Sequence, residues 1–134
     1  MKNDIEIPEV KNVCVAVARE QNFDGTYLWK VFLLNKNDFD LKNVLVTSSG
    51  FGDTKEGEQK TSVLRHFFEE VPALGFQEIE IIDQGVFHLN NEYWVSYQAD
   101  NKLFDKRYLF VPDSISDKNI IHIRMLEKDG ILHE

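Results

Sequence analysis

Four histidines, one cysteine and a scatter of carboxylates are the side chains of this sequence suited to metal, nucleophilic or acid–base chemistry. His66, His88, His122 and His133 lie far apart, without the short spacings that bring two ligands to one metal. Asp38-Phe39-Asp40 sets two carboxylates in a turn, but the glycine and the later glutamate of a calcium loop are missing. No metal and no cofactor are therefore expected. Cys14 stands between Val13 and Val15, where a thiol serves as a small apolar side chain rather than a nucleophile. No Gly-x-Ser-x-Gly motif is present, so a hydrolase triad has no anchor. Glu69-Glu70 and Glu78-x-Glu80 read as solvated strand faces, because acid–base catalysis needs a carboxylate pair in a cleft with separated pKa values. No catalytic residue is assigned.

Basic and aromatic residues point instead to binding. Arg65-His66 is a basic step inside an apolar segment, and Lys106-Arg107 repeats it later. Trp29, Trp94, Tyr97, Phe104 and Tyr108 exceed what one sheet interface needs, although Trp29 and Tyr97 also suit a core. Aromatics on a sheet surface are preferred interface anchors. The residues expected to meet a ligand or partner are Arg65, His66, Trp94, Phe104 and Arg107.

Strands must position these residues. Val13, Val15 and Val17 alternate with Cys14, Ala16 and Ala18 over residues 10–19. The small second face implies close cover by another strand or by the N-terminal tail. Residues 26–34 are apolar on both faces, as in a central strand covered on each side. Residues 41–48 return with Val44 and Val46 on one face. Residues 49–59, with three glycines and many charges, read as a mobile loop. Residues 61–70 fit a strand better than a helix, since a short Pro/Gly connection leads into the alternation of residues 76–83, where Ile79 and Ile81 are flanked by Glu78 and Glu80. Residues 86–89 read as a brief extension. Residues 92–99 and 103–111 form a hairpin about Asp100-Asn101, both tolerant of left-handed backbone. Residues 119–126 alternate weakly, and Lys128-Asp129-Gly130 reads as a turn into a last strand at residues 131–132. The period of two predicts an all-β domain over residues 1–134, a single sandwich of seven to nine mostly antiparallel strands with a loose tail over residues 1–9.

Composition bounds the partners. The 134 residues suit one domain, and 43% hydrophobic content supplies a core. Fifteen basic residues against 23 acidic give a net charge of −8, which repels phosphate backbones and anionic lipid. Neither nucleic acid nor a membrane is an expected partner. The single cysteine forms no intrachain disulfide and the N-terminus lacks an apolar leader, so a soluble cytoplasmic protein is expected.

Residues 27–35, Tyr-Leu-Trp-Lys-Val-Phe-Leu-Leu-Asn, followed by Leu41-Lys42-Asn43-Val44-Leu45-Val46, resemble the strand handover of immunoglobulin-like and fibronectin-like sandwiches. The connection Val71-Pro72-Ala73-Leu74-Gly75-Phe76 is similar to theirs as well. That resemblance implies fold only. Asp4-Ile5-Glu6-Ile7-Pro8, Ser62-Val63-Leu64-Arg65-His66 and Asp105-Lys106-Arg107-Tyr108-Leu109-Phe110 resemble a family of short bacterial proteins sometimes labelled phenylalanyl-tRNA synthetase alpha subunit. The chain is too short for a class II synthetase core, and no catalytic residue carries over. The expected function is a non-enzymatic module binding a protein, a second copy of itself included, through a sheet face or edge. The alternative is a small enzyme or a synthetase-associated factor with a site in a groove near His66 and His88. Convergence of those histidines with a carboxylate would favour the enzyme; a flat apolar patch at Trp94 or Phe104 would favour the module.

Overall fold

Alternating segments become strands throughout the computed structural model, which describes residues 8–134. In chain order they are β1 (Val13–Gln21), β2 (Tyr27–Asn35), β3 (Leu41–Thr54), β4 (Gly57–Lys60), β5 (Leu64–Val71), β6 (Phe76–Ile81), β7 (Asn90–Ala99), β8 (Lys102–Phe110), β9 (Ile121–Ile123) and β10 (Lys128–His133). All pairings are antiparallel. The first sheet runs β6-β2-β1-β10-β9. In the second, β4 and β5 both pair with β3, which is followed by β7 and β8. No helix among the described residues is long and apolar enough to cross a membrane. The tail expected over residues 1–9 lies outside the described residues apart from Pro8 and Glu9, which join no strand.

The core fills the space between the sheets. Val13, Val15, Val17, Trp29, Val31 and Leu33 of the first sheet pack against Val44, Val46, Tyr93, Val95, Tyr97 and Tyr108 of the second. Tyr108 ties the layers by donating its hydroxyl to the Val13 carbonyl (2.6 Å). Behind the first sheet lies a second cluster, in which Cys14, Ala16, Ala18, Phe32 and Leu34 are covered by Ile123 and Leu126 from the β9–β10 hairpin. The small residues of β1 thus admit Ile123 of strand β9 and Leu126 of the turn that follows it. Apolar side chains on both faces of β2 follow from its place between the two clusters, with Trp29, Val31 and Leu33 in the first and Phe32 and Leu34 in the second.

Local chemistry explains the connections. Asp100 and Asn101 take φ of 51° and 58° and join β7 to β8 as a two-residue hairpin loop, the geometry for which aspartate and asparagine are favoured. Asn35 is fully buried at the crossing from β2 to β3. Its amide donates to the carbonyls of Phe39 (2.8 Å) and Pro72 (3.1 Å), and its oxygen accepts from the Asn37 N–H (3.0 Å). Asp40 accepts from the Ala73 N–H (2.8 Å), so the Asp38–Asp40 turn holds the neighbouring Pro/Gly connection.

Three segments differ from the expectation. Residues 49–59 are paired strand except for the two-residue turn at Lys55-Glu56: β3 continues to Thr54 and folds back as β4, because the ladder from Phe51↔Lys60 to Thr54↔Gly57 satisfies backbone groups that a loop would leave to water. Residues 86–89 leave from a 3₁₀ turn, Gln84–Val86, whose N-cap is Asp83, and do not extend a strand. Residues 128–130 are strand; the chain turns instead at residues 124–127, with Glu127 at φ 52°. With β4 added, the described residues hold ten strands, above the seven to nine expected.

Candidate functional site

The most telling residue is one whose face the sequence misplaces. Simple alternation sets Ile79 and Ile81 inward and Glu78 and Glu80 outward. In the ladder, Val31 pairs with Glu80 but Phe32 pairs with Glu78, so Ile79 is an extra residue and β6 is bulged there. A bulge re-aims the side chains beyond it. Ile79 stays buried, Glu80 turns in between the sheets, and Ile81 faces outward with 62% of its surface exposed. Glu78 remains outside and pairs with Lys30 (3.2 Å).

Glu80 meets three donors from the second sheet. Its Oε1 accepts from Ser48 Oγ of β3 (2.7 Å) and lies 2.9 Å from His66 Nε2 of β5. Its Oε2 accepts from the Tyr93 hydroxyl of β7 (3.0 Å). Ser48, His66 and Tyr93 occupy inward positions in phase with Val46, Phe68 and Val95. Burial, reinforced by the adjacent Glu80 carboxylate, pushes the Tyr93 phenol well above its ordinary range and keeps it a donor. The network links β6 at the edge of one sheet to β5 and β3 in the other. Glu80→Ala strands the Ser48 and Tyr93 hydroxyls without an acceptor, at an expected cost of about 2–3 kcal/mol. Urea unfolding checks this, and a change below about 0.5 kcal/mol would show the network to be slack.

Beside the network opens a cleft of about 170 Å³ between the sheet edges. Ser48, Gly50, Thr61, Glu80, Asn91 and Tyr93 contribute to its polar lining, and Leu64, Ile81, Ile82 and Val86 to its apolar lining. It sits where β4 gives way to β5: residues 61–63 lie outside both strands, while Thr61 N–H donates to the Gly50 carbonyl (2.9 Å) and Gly50 N–H to Thr61 Oγ1 (2.7 Å). As nucleophilic machinery the arrangement is incomplete. The Ser48 hydroxyl donates to Glu80 and not to the histidine, so the serine–histidine pair of a hydrolase triad is not formed here. Cys14 lies in the rear cluster, where burial pushes its thiol up and away from the reactive thiolate.

The expected binding residues divide between two faces. Arg65, Thr47, Trp94 and Arg107 stand in register on β5, β3, β7 and β8, forming one row across the outer face of the second sheet. Phe67, Leu45, Ser96 and Asp105 form the next row. Trp94 is 42% exposed and Phe67 59%, with Leu45 exposed beside them. Arg107 pairs with Glu92. His66 and Phe104 point the other way, His66 to Glu80 and Phe104 stacked on Tyr97 at 5.0 Å between ring centres. Lys106 lies over the Tyr108 ring (4.9 Å).

His88 does not join His66: its Nε2 lies 3.0 Å from Gln59 Oε1. His122 meets Asp129 (3.0 Å), and His133 lies edge-on to Tyr108 and Phe110. Among the described residues no group of three His, Cys, Asp or Glu converges as metal ligands would. Sequence reasoning missed Glu80, Ser48, Tyr93 and Asn91 as members of one cluster. A signal for Asn91 and Ser48 was present, since each is a polar residue in phase with a buried apolar face: Asn91 with Tyr93, Val95 and Tyr97, and Ser48 with Val44 and Val46.

Fold and site together define a two-sheet, all-β protein with an exposed aromatic face and a small polar cleft at its open edge. No family model, curated protein or solved structure matches the chain.

Proposed function

We propose that this protein is a non-enzymatic interaction module that binds a protein partner through the outer face of the β5-β3-β7-β8 sheet. The observation carrying this reading is the pair of rows in which Trp94, Phe67 and Leu45 stand exposed beside Arg65 and Arg107. Aromatic and arginine side chains are the residue types that dominate binding energy at interfaces. Strands spaced about 4.8 Å apart give the Arg65-to-Arg107 row a span of roughly 14 Å, enough for the centre of an interface. A second copy of the chain is one such partner. The net charge of −8 argues against nucleic acid and anionic membrane.

Sedimentation and affinity capture, run in parallel on the wild type and on Trp94→Glu, test this. The variant is expected to weaken association by roughly 30-fold or more while leaving the fold intact. Retention of the same oligomer or the same captured partner by Trp94→Glu would refute the reading.

The order of pairing supports an immunoglobulin- or fibronectin-like sandwich. Consecutive strands β2 and β3 cross between sheets, β6 returns to pair with β2, and β7 and β8 return to the sheet of β3. The free, buried Cys14 supports a cytoplasmic site of action. A second reading, a small enzyme or a phenylalanyl-tRNA synthetase-associated factor, draws on one observation, the His66–Glu80 pair beside the cleft. His88 takes no part in it.

A further inference from the structure

We propose that the outer face of the β5-β3-β7-β8 sheet pairs with the same face of a second copy, about a two-fold axis that crosses the strands between its two central rows. The inference rests on the reading of that face as an interface and names its occupant.

Register fixes what such an axis brings together. One row holds Arg65, Thr47, Trp94 and Arg107, and the next holds Phe67, Leu45, Ser96 and Asp105. The axis lies in the plane of contact, midway between the rows. A half-turn about it keeps each strand opposite its own counterpart and lays each row over the other. Trp94 then meets Ser96 of the second copy, a large side chain over a small one. Arg107 meets Asp105, Arg65 meets the Phe67 ring, and Leu45 meets Thr47. Each contact occurs twice, as an isologous interface requires. Arginine is attracted both to a carboxylate and to an aromatic face. The flanking rows agree: Leu109 pairs with Glu92 on one side and Leu103 with Gln98 on the other. The same half-turn lays Leu109 over Leu103 and Glu92 over Gln98. None of these six contacts opposes like charges.

Charge selects this axis over the other face-to-face arrangement. An axis running along the strands, between β3 and β7, lays each row over itself in reverse. It sets Arg65 against Arg107 and Asp105 against the Phe67 ring, and like-charge contacts of this kind exclude an arrangement. The patch also suits a copy of an acidic chain. Arg65 and Arg107 are balanced by Asp105 and Glu92, while the whole chain carries −8. Two copies therefore meet here without the repulsion that their remaining surfaces impose.

Area sets the strength. Four strands about 4.8 Å apart and four rows about 7 Å apart make a patch of roughly 500 Å². Two such patches bury about 1,000 Å², the low end for a specific interface, so a reversible dimer of micromolar affinity is expected. Trp94, Phe67 and Leu103, which are 42%, 59% and 62% exposed, supply its apolar part. Packed sheets stay aligned to within about 30°, so β3 and β7 at the centre hold the register best.

Sedimentation equilibrium of the full chain tests the inference, and the wild type is expected to show a concentration-dependent dimer. Asp105→Arg confronts Arg107 of the second copy with another cation, and Arg107→Asp confronts Asp105 with another anion. Each variant alone should associate at least ten-fold more weakly. Mixed in equal amounts, the two regain both opposite-charge contacts and should pair within about three-fold of the wild type. Circular dichroism checks that each is folded. If Arg107→Asp fails to fold without its Glu92 partner, Asp105→Arg alone decides. Unchanged dimerisation in a folded variant, or a mixture that stays as weak as its components, would overturn the proposed axis. A monomeric wild type overturns self-pairing. If that monomer captures another protein and Trp94→Glu loses it, the face stands as an interface for a different partner; if Trp94→Glu keeps it, both readings fall.

Discussion

Above about pH 10 the folded protein is expected to lose stability at about 4 kcal/mol per pH unit, and to unfold before about pH 12. Three tyrosines set this slope. Tyr93, Tyr97 and Tyr108 are at most 2% exposed. Burial pushes Tyr97 up to about 12 and raises Tyr93 and Tyr108 above their ordinary range as well. A raised folded-state pKa contributes stability that is complete below the unfolded value, near 10, and is lost as pH climbs towards the folded one. In that window the unfolded chain has released three protons that the folded chain still holds. Each costs about 1.4 kcal/mol per pH unit, and a typical domain has only about 5–15 kcal/mol in reserve. Urea midpoints followed between about pH 9 and pH 12, together with tyrosinate absorbance, check this. Tyrosinate absorbance should appear with loss of the near-ultraviolet circular dichroism signal and not before it. Reversible ionisation near pH 10 in a folded protein would show that the phenols are open to water.

Trp29→Ala is expected to cost about 3–5 kcal/mol, the range for deleting a large aromatic side chain from a packed core. The Trp29 ring is 4% exposed and lies edge-on to Phe87 at 5.3 Å, and its backbone carbonyl accepts from the Ile82 N–H (3.0 Å). Truncation leaves a cavity at the β2–β6 side of the core, where the short edge strand has few other contacts to close it. Among the described residues the buried indole Nε1 has no hydrogen-bond partner. Trp29→Phe therefore removes an unsatisfied donor along with some volume, and should cost only about 1–2 kcal/mol. Tyr97→Ala, which takes away the ring stacked on Phe104, belongs with the larger losses. Denaturant midpoints for the three variants make the comparison. A loss below about 1 kcal/mol for Trp29→Ala would place that ring outside the core.

Glycine at 130 shows why local patterns mislead in this chain. Beside Lys128-Asp129 it reads as a turn residue. It stands instead in β10, directly opposite Ala18 of β1. A Cβ there would fall 2.3 Å from the Val17 carbonyl oxygen and 2.7 Å from Ala18 Cα, both backbone atoms that cannot swing aside. The glycine answers to the close approach of a strand more than 100 residues away, which no window of neighbouring residues reveals.

Much of the architecture was legible because side-chain period and turn chemistry are local properties. The valines of β1, the two apolar faces of β2, a strand within residues 61–70 (observed at Leu64–Val71) and the Asp100-Asn101 hairpin all followed from residue order alone, and so did the two-layer, all-β class. What only the tertiary structure decided was phase and company. One extra residue at Ile79 reverses which neighbour faces inward, carrying Glu80 to Ser48, His66 and Tyr93 and leaving Ile81 exposed. Strand pairing likewise gathers Arg65, Trp94 and Arg107 into one row while sending His66 and Phe104 to the opposite face. Alternation tells which residues share a side of one strand; register and bulges, set by the partner strand, determine which side that is and what waits there.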